Sequence, residues 1–130
     1  MRFPDWKRPK FDKDGYTEYG WRCQHSDKLS LGKYSDIGCF SYLNAKHEIH
    51  IGKNVQIGSH CSIYTESTID KKKGKVFIGD NALIGSHSTI MPGVTIGVGA
   101  VIGAHSFINK DIPWYTLAYG TPCKVVKYLG

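Results

Sequence analysis

The chain has 130 residues, a formal net charge of +6, 41% apolar residues and 15 glycines. That length fits one domain, and an apolar-plus-glycine share of this size argues against disorder. No apolar run approaches the ~18 residues that span a bilayer, and the start MRFPDWKRPK lacks a secretory apolar region. A cytoplasmic chain without membrane insertion is therefore predicted. The four cysteines (Cys23, Cys39, Cys61, Cys123) stand apart with no CxxC spacing, which suits reduced thiols. The positive charge favours anionic partners such as a phosphorylated substrate or cofactor, and no recognised nucleic-acid motif accompanies it.

Residues 1–29 show no period and are rich in aromatics (Phe3, Trp6, Phe11, Tyr16, Tyr19, Trp21). They are predicted to cap one end of a solenoid, with Arg2, Lys7, Arg8, Lys10 and Lys13 as a solvated basic arm. From residue 30 to 112 a repeat takes over. Aliphatic residues fall at Leu31, Ile37, Leu43, Ile51, Ile57, Ile63, Ile69, Ile78, Ile84, Ile90, Ile96, Ile102 and Ile108. Ten of those twelve gaps are six residues, which neither a helix nor a period-two strand produces. Gly follows directly at eight of the positions, and a small or β-branched residue usually stands four places on, from Ser35 through Ser67 to Ser106. Each unit predicts one short strand and one corner. Three units would close a coil, and coils would stack at the ~4.8 Å strand spacing.

Two gaps break the rhythm. Leu43 to Ile51 is eight residues, a slip around His47–His50. Ile69 to Ile78 is nine, predicting a three-residue insertion in a loop over 70–75 that carries Lys71, Lys72, Lys73 and Lys75. An insertion in a solenoid must leave the stack, and such loops often bear function. The period lapses again at Pro113, so 113–130 is predicted to close the other end.

The stretch from Leu31 to Val126 resembles the hexapeptide-repeat acyltransferases, most specifically in FIGDNALIGSHSTIMPGVTIGVGAVIGAHSFINKDIPWYTLAYGTPCKVVKYL (77–129). It is similar to the maltose and galactoside O-acetyltransferases and to short acetyltransferases of surface-polysaccharide pathways. The resemblance implies an all-β, left-handed parallel β-helix, a homotrimer with active sites between subunits, and acetyl-CoA as acyl donor. The hand comes from the resemblance alone, because the general rule for parallel crossovers points the other way.

Matched by position, the resemblance implies that Ser86 and Ala104 line the pantetheine arm, where small side chains let it approach the backbone. It places Asn109 toward the adenosine end, where the family often has Thr. Lys110, Lys124 and Lys127 would meet the CoA phosphates, lysine keeping the charge of the family's arginines without their planar fork.

One motif departs. Maltose-type enzymes carry a catalytic histidine at the end of an IYTATH-like hexad, and here Ile63-Tyr64-Thr65-Glu66-Ser67-Thr68 puts Thr68 in that place. Threonine is no base near neutral pH. His60 and His87 become the candidate bases, which the trimer that the resemblance implies could bring opposite each other from neighbouring subunits. Coil counting predicts His87 and His105 on one corner with Glu66 in the same column, and His60 on a different corner with Asn81 one coil onward. Tyr64, Glu66, Thr68, Lys73 and Asn81 are the candidate acceptor contacts, and no metal site is expected.

An amine with a pKa near ~8 can attack a thioester without a strong base. The leading expectation is therefore N-acetylation of an amino sugar on dTDP or UDP, for surface polysaccharide or lipopolysaccharide synthesis. The alternative is O-acetylation of a sugar with His60 or His87 as base. A carbonic-anhydrase-type zinc lyase needs three converging histidines, and the pair expected from that family is absent. A non-catalytic binding role completes the set.

Overall fold

The computed structural model describes residues 3–130, and Arg2 of the predicted basic arm lies outside them. Apart from one 3₁₀ turn at Ser26–Lys28, every regular element described is a short strand, and the chain winds as a parallel solenoid of about five turns. Its three faces follow from the repeat. The first stacks Leu29–Leu31, Ile49–Ile51, Val76–Ile78 and Thr95–Ile96. The second stacks Asp36–Ile37, Gln56–Ile57, Leu83–Ile84, Val101–Ile102 and Thr116–Tyr119. The third stacks Arg22–Gln24, Tyr42–Asn44, Ser62–Tyr64, Thr89–Ile90 and Phe107–Ile108.

Register puts like on like. Ile57, Ile84 and Ile102 pair in one ladder, and Leu43, Ile63, Ile90 and Ile108 in another. These side chains fill the axis of the solenoid and are almost wholly buried. The small residue four places on turns inward at the corner, where a larger one would not fit. Ser35 shows how its hydroxyl is satisfied there: it donates to Gly52 O at 2.6 Å and accepts from the Val55 N–H at 2.9 Å, tying one coil to the next. A buried serine is tolerated because both of its roles are filled.

At seven of the repeats the residue three places after the aliphatic carries the turn. Tyr34, Phe40, Asn54, His60, Asn81, His87 and His105 all have φ between 56° and 66°, the left-handed region that lets the strand break direction. The glycine directly after the aliphatic serves close approach instead. A Cβ on Gly58 would sit 2.6 Å from the Ser86 nitrogen, and one on Gly85 would sit 2.5 Å from the Ala104 nitrogen.

Coil length exposes an error in the expected phase. Ile78 pairs with Ile96, 18 residues on, whereas Ile51 pairs with Ile78, 27 residues on. The excursion is therefore nine residues, not three. Ile69 is 97% exposed and belongs to no column. Residues around it form an antiparallel hairpin, Glu66–Ser67 against Lys72–Lys73, so Ser67 is not an inward corner residue either.

The ends are closed by non-repeating chain. The first solenoid strand is Arg22–Gln24, with Cys23 in the aliphatic ladder above Leu43, so the winding starts earlier than residue 30. Trp21 is 2% exposed and takes Phe11 edge-on at 5.5 Å, and the Trp6 indole donates to Ser35 O at 2.7 Å. At the other end Thr116–Tyr119 extends the second face beyond residue 112, and Lys124–Tyr128 folds back antiparallel on it. Among the described residues no helix is long and apolar enough to cross a membrane.

Candidate functional site

The corner between the second and third faces carries an imidazole ladder. His60 and His87 stack at 4.6 Å with 5° between planes, and His87 and His105 at 4.8 Å with 7°. Phe40 lies over His60 at 5.0 Å. Their backbones lock the column: the His87 N–H donates to Ser59 O at 3.0 Å and the His105 N–H to Ser86 O at 2.9 Å. His60 therefore shares the corner of His87, contrary to the coil counting, and Glu66 does not. Both corrections have one cause: counting Ile69 as a core residue shortened the excursion by six and rotated everything before it by one corner.

All three rings are exposed. Among the described residues no carboxylate faces them, and His60 Nδ1 meets only Ser59 Oγ at 3.0 Å. Beside the ladder runs a cleft of about 420 Å³ on the second face, lined by Gly38, Gly58, Ser59, Leu83 and Gly85. Ser86 and Ala104 belong to the adjoining corner column, each backbone pressed under the glycine of the coil before. Ser86 is half-buried and Ala104 is exposed.

The corner between the third and first faces is polar and charged, because the eight-residue slip and the hairpin leave the stack there one above the other. Thr65, fully buried, donates its hydroxyl to Asn44 O at 2.8 Å and accepts the His47 N–H at 3.0 Å. That bond sets His47 over the root of the hairpin. Glu66 then meets two partners: its Oε1 is 3.3 Å from His47 Nε2 and its Oε2 is 3.2 Å from the Lys46 Nζ ammonium. The His47 hydrogen bond, followed by that of Lys46, holds the Glu66 carboxyl below the usual glutamate range. Glu48 is lowered likewise, chiefly by its hydrogen bond with His50 at 3.0 Å and then by the Lys75 charge. A cleft of about 380 Å³ opens here, lined by Lys28, Lys46, His47, Glu48, Lys73 and Lys75.

The remaining expected contacts are scattered. Tyr64 packs against Tyr42 at 5.9 Å on the third face, and Thr68 is exposed in the hairpin turn. Asn81 stands at the third corner, its N–H donating to Lys53 O at 2.9 Å. Asn109 and Lys110 are exposed after the last strand of the third face, and Lys124 and Lys127 are exposed on the terminal strand. One chain therefore brings Lys73 and Glu66 together, and His60 and His87 together with Ser86 and Ala104, but not the two groups with each other. Missed in the sequence were Phe40 on the ladder and the His47–Glu66–Lys46 cluster.

All four thiols are unpaired; burial pushes Cys23 up to about 12 and also raises Cys61 and Cys123. Among the described residues no group of three or more His, Cys, Asp or Glu side chains is arranged to hold a metal ion.

Comparison with known proteins agrees with the repeat. The pattern of the bacterial transferase hexapeptide (six repeats) matches residues 75–110. A protein provisionally named an acetyltransferase, from Staphylococcus aureus strain Mu50, is 42% identical over 118 residues, covering 85% of this chain and 57% of its own length. The galactoside O-acetyltransferase of Lactococcus lactis subsp. lactis strain IL1403 is 34% identical over 114 residues, covering 76% of this chain and 55% of its own. The chain thus spans a little over half the length of these relatives. A hexapeptide-repeat acetyltransferase of Vibrio cholerae, solved with acetyl coenzyme A, superposes with a TM-score of 0.80 at 28% identity, over 85% of this chain and 65% of that one. The fold is the left-handed parallel β-helix of those structures.

Proposed function

We propose that this chain, a member of the hexapeptide-repeat family, transfers the acetyl group of acetyl-CoA to a sugar. The observation that carries the reading is the cleft on the second face. Glycines 38, 58 and 85 are pressed against the backbone at Ser59, Ser86 and Ala104, leaving an edge of small residues on which an extended pantetheine arm can lie. The likeness to a structure holding acetyl coenzyme A supports the same donor. Three copies form the enzyme, with the donor arm between neighbours. Its setting is the cytoplasm and its product a building block of surface polysaccharide.

The acceptor is the amino group of a sugar carried on dTDP or UDP. Thr68 supports this, since it stands where the resemblance has a histidine, and an amine asks least of a base. The lysine-lined cleft beside the hairpin suits the diphosphate, with Lys73 on its rim. A sugar hydroxyl is the second reading, favoured by the galactoside O-acetyltransferase of Lactococcus lactis. Incubation with acetyl-CoA and either a UDP-linked amino sugar or a simple galactoside, following free thiol, decides between them. Absence of thiol release with either, together with no acetyl-CoA binding by calorimetry, overturns the transferase reading.

At the donor's far end, Lys124 and Lys127 meet the CoA phosphates. Both are exposed on the strand that closes the solenoid, where an ion pair with phosphate is strongly screened by salt. Reversing both charges (K124E, K127E) is expected to raise KM for acetyl-CoA about tenfold at low salt, some 1.4 kcal/mol, and to leave kcat nearly unchanged. A double variant with the parent KM removes both lysines from the donor site.

A further inference from the structure

We infer that His47, held by Glu66 at the root of the hairpin, is the base that takes the acceptor's proton, in place of the histidine the hairpin lacks. The inference rests on the transferase reading and deepens it. Sequence comparison by position looks for an imidazole within the Ile63–Thr68 hexad and finds Thr68 instead. The structure puts one beside that hexad from the coil before. His47 comes from the two-residue slip after Leu43, and its N–H is fixed on Thr65, the residue directly preceding Glu66.

The dyad has the arrangement a base requires. Glu66 Oε1, 3.3 Å from His47 Nε2, accepts the hydrogen on that nitrogen and so leaves the lone pair on Nδ1. Its carboxylate stays ionised, with Lys46 on the other oxygen, and stabilises the imidazolium that forms. The side chains of His47 and Glu66 are 32% and 17% exposed, open enough to meet a ligand and covered enough to keep one orientation. The ladder of His60, His87 and His105 lacks a carboxylate of this kind among the described residues; its rings hold one another and are open to solvent.

The step balances without a further reactant. The acceptor's oxygen or nitrogen attacks the thioester carbonyl carbon, and its proton passes to His47 Nδ1. The tetrahedral carbon re-forms its carbonyl as the C–S bond breaks, and the leaving thiolate takes the proton back from His47 as free CoA thiol. A hydroxyl needs this base at the start. An amine needs it only to shed a proton after attack, so the dependence on His47 is smaller.

The charges facing His47 fix what its pH dependence should do. Glu66 and Lys46 touch it, or touch its partner, directly. Lys28 comes from the 3₁₀ turn, Glu48 from the slip, Lys73 from the hairpin and Lys75 from the strand entry. His50 is occupied by Glu48. Removing the Glu66 charge leaves Glu48, already paired with His50 and Lys75, as the one acid among the residues lining this cleft, so the imidazole should hold its proton less tightly.

The test uses the full chain and follows thiol release from acetyl-CoA with a simple galactoside, with a UDP-linked amino sugar, and with water alone. H47N is expected to lose about 10²–10⁴-fold in kcat with the galactoside and less with the amino sugar, at an acetyl-CoA KM within twofold of the parent. E66Q, a change in a positioning residue, is expected to lose about tenfold and to move the acid limb of the kcat profile to lower pH, which a purely structural defect would not do. H60N and H87N should stay within about threefold. Circular dichroism melts matching the parent exclude misfolding, and H47Q is the second variant if H47N fails to fold. Parent-like turnover of the His47 variants, with activity lost in H60N or H87N, overturns the inference and leaves the transferase reading standing. A parent protein that neither binds nor turns over acetyl-CoA overturns both.

Discussion

Replacing Ile63 by alanine should lower the stability of the chain by about 2–5 kcal/mol, while Ile69→Ala should change it by less than about 0.5 kcal/mol. Both residues are isoleucines on the six-residue phase, and only their surroundings differ. Ile63 is 0% exposed, seated in the ladder between Leu43 and Ile90. Truncating it removes three carbons and opens a void that a close-stacked solenoid cannot collapse around. Ile69 is 97% exposed at the hairpin turn and has nothing to lose. Urea unfolding at one fixed protein concentration measures the difference, because any association of copies makes stability concentration-dependent. Equal losses in the two variants would return Ile69 to the core and shorten the excursion to three residues.

That pair of residues also explains how far the sequence could be read. The repeat was legible because burial imposes it: each inward position must be aliphatic, each inner corner small, and each contact between coils free of a Cβ. Those demands are local, so the column through Ile84 and Ile102, on the regular side of the hairpin, could be drawn from spacing alone. The hairpin obeys different demands but mimics the same pattern, with Ile69 six residues after Ile63 and Ser67 four after it. Nothing local separates a β-hairpin from another coil there, since either uses extended backbone. The length of the excursion, and with it the corner of every residue before it, became visible only in the register of Ile51 on Ile78. The same holds at the start, where Cys23 takes an aliphatic place without being aliphatic.

The candidate site suffered more than the fold, because a site depends on which corners coincide. The shared corner of Ser86 and Ala104 was legible, since both are on the regular side of the hairpin. His60 lies on the other side, so spacing alone puts it one corner away from its place. His47 carries no signal as a slip residue, for its meaning depends on Glu66, 19 positions later, starting the hairpin directly above it.

Ala104→Leu should raise KM for acetyl-CoA about 10- to 100-fold, equivalent to about 1.4–2.8 kcal/mol, with the melting temperature nearly unchanged. Ala104 is exposed, and its backbone nitrogen underlies Gly85, so a longer side chain has room to point outward without disturbing the stack. It would then occupy the edge proposed for the pantetheine arm and hold the arm off the backbone. The loss should appear in donor binding rather than in kcat at saturating donor. An unchanged KM would take the arm away from this edge.

The same variant tests whether the two corners cooperate across copies. His47 and the Ala104 edge stand at different corners of one chain, so in the proposed threefold assembly the proposed base of one copy would serve the donor held by the next. Ala104→Leu and His47→Asn are each expected to be poorly active alone. Co-expressed in equal amounts and mixing at random, they should yield trimers in which about a quarter of the sites combine an intact His47 with an intact edge. Activity at low donor concentration should then recover to about that fraction of the parent. If a base and its donor edge belonged to the same chain, no site in the mixture would have both, and mixing would restore nothing.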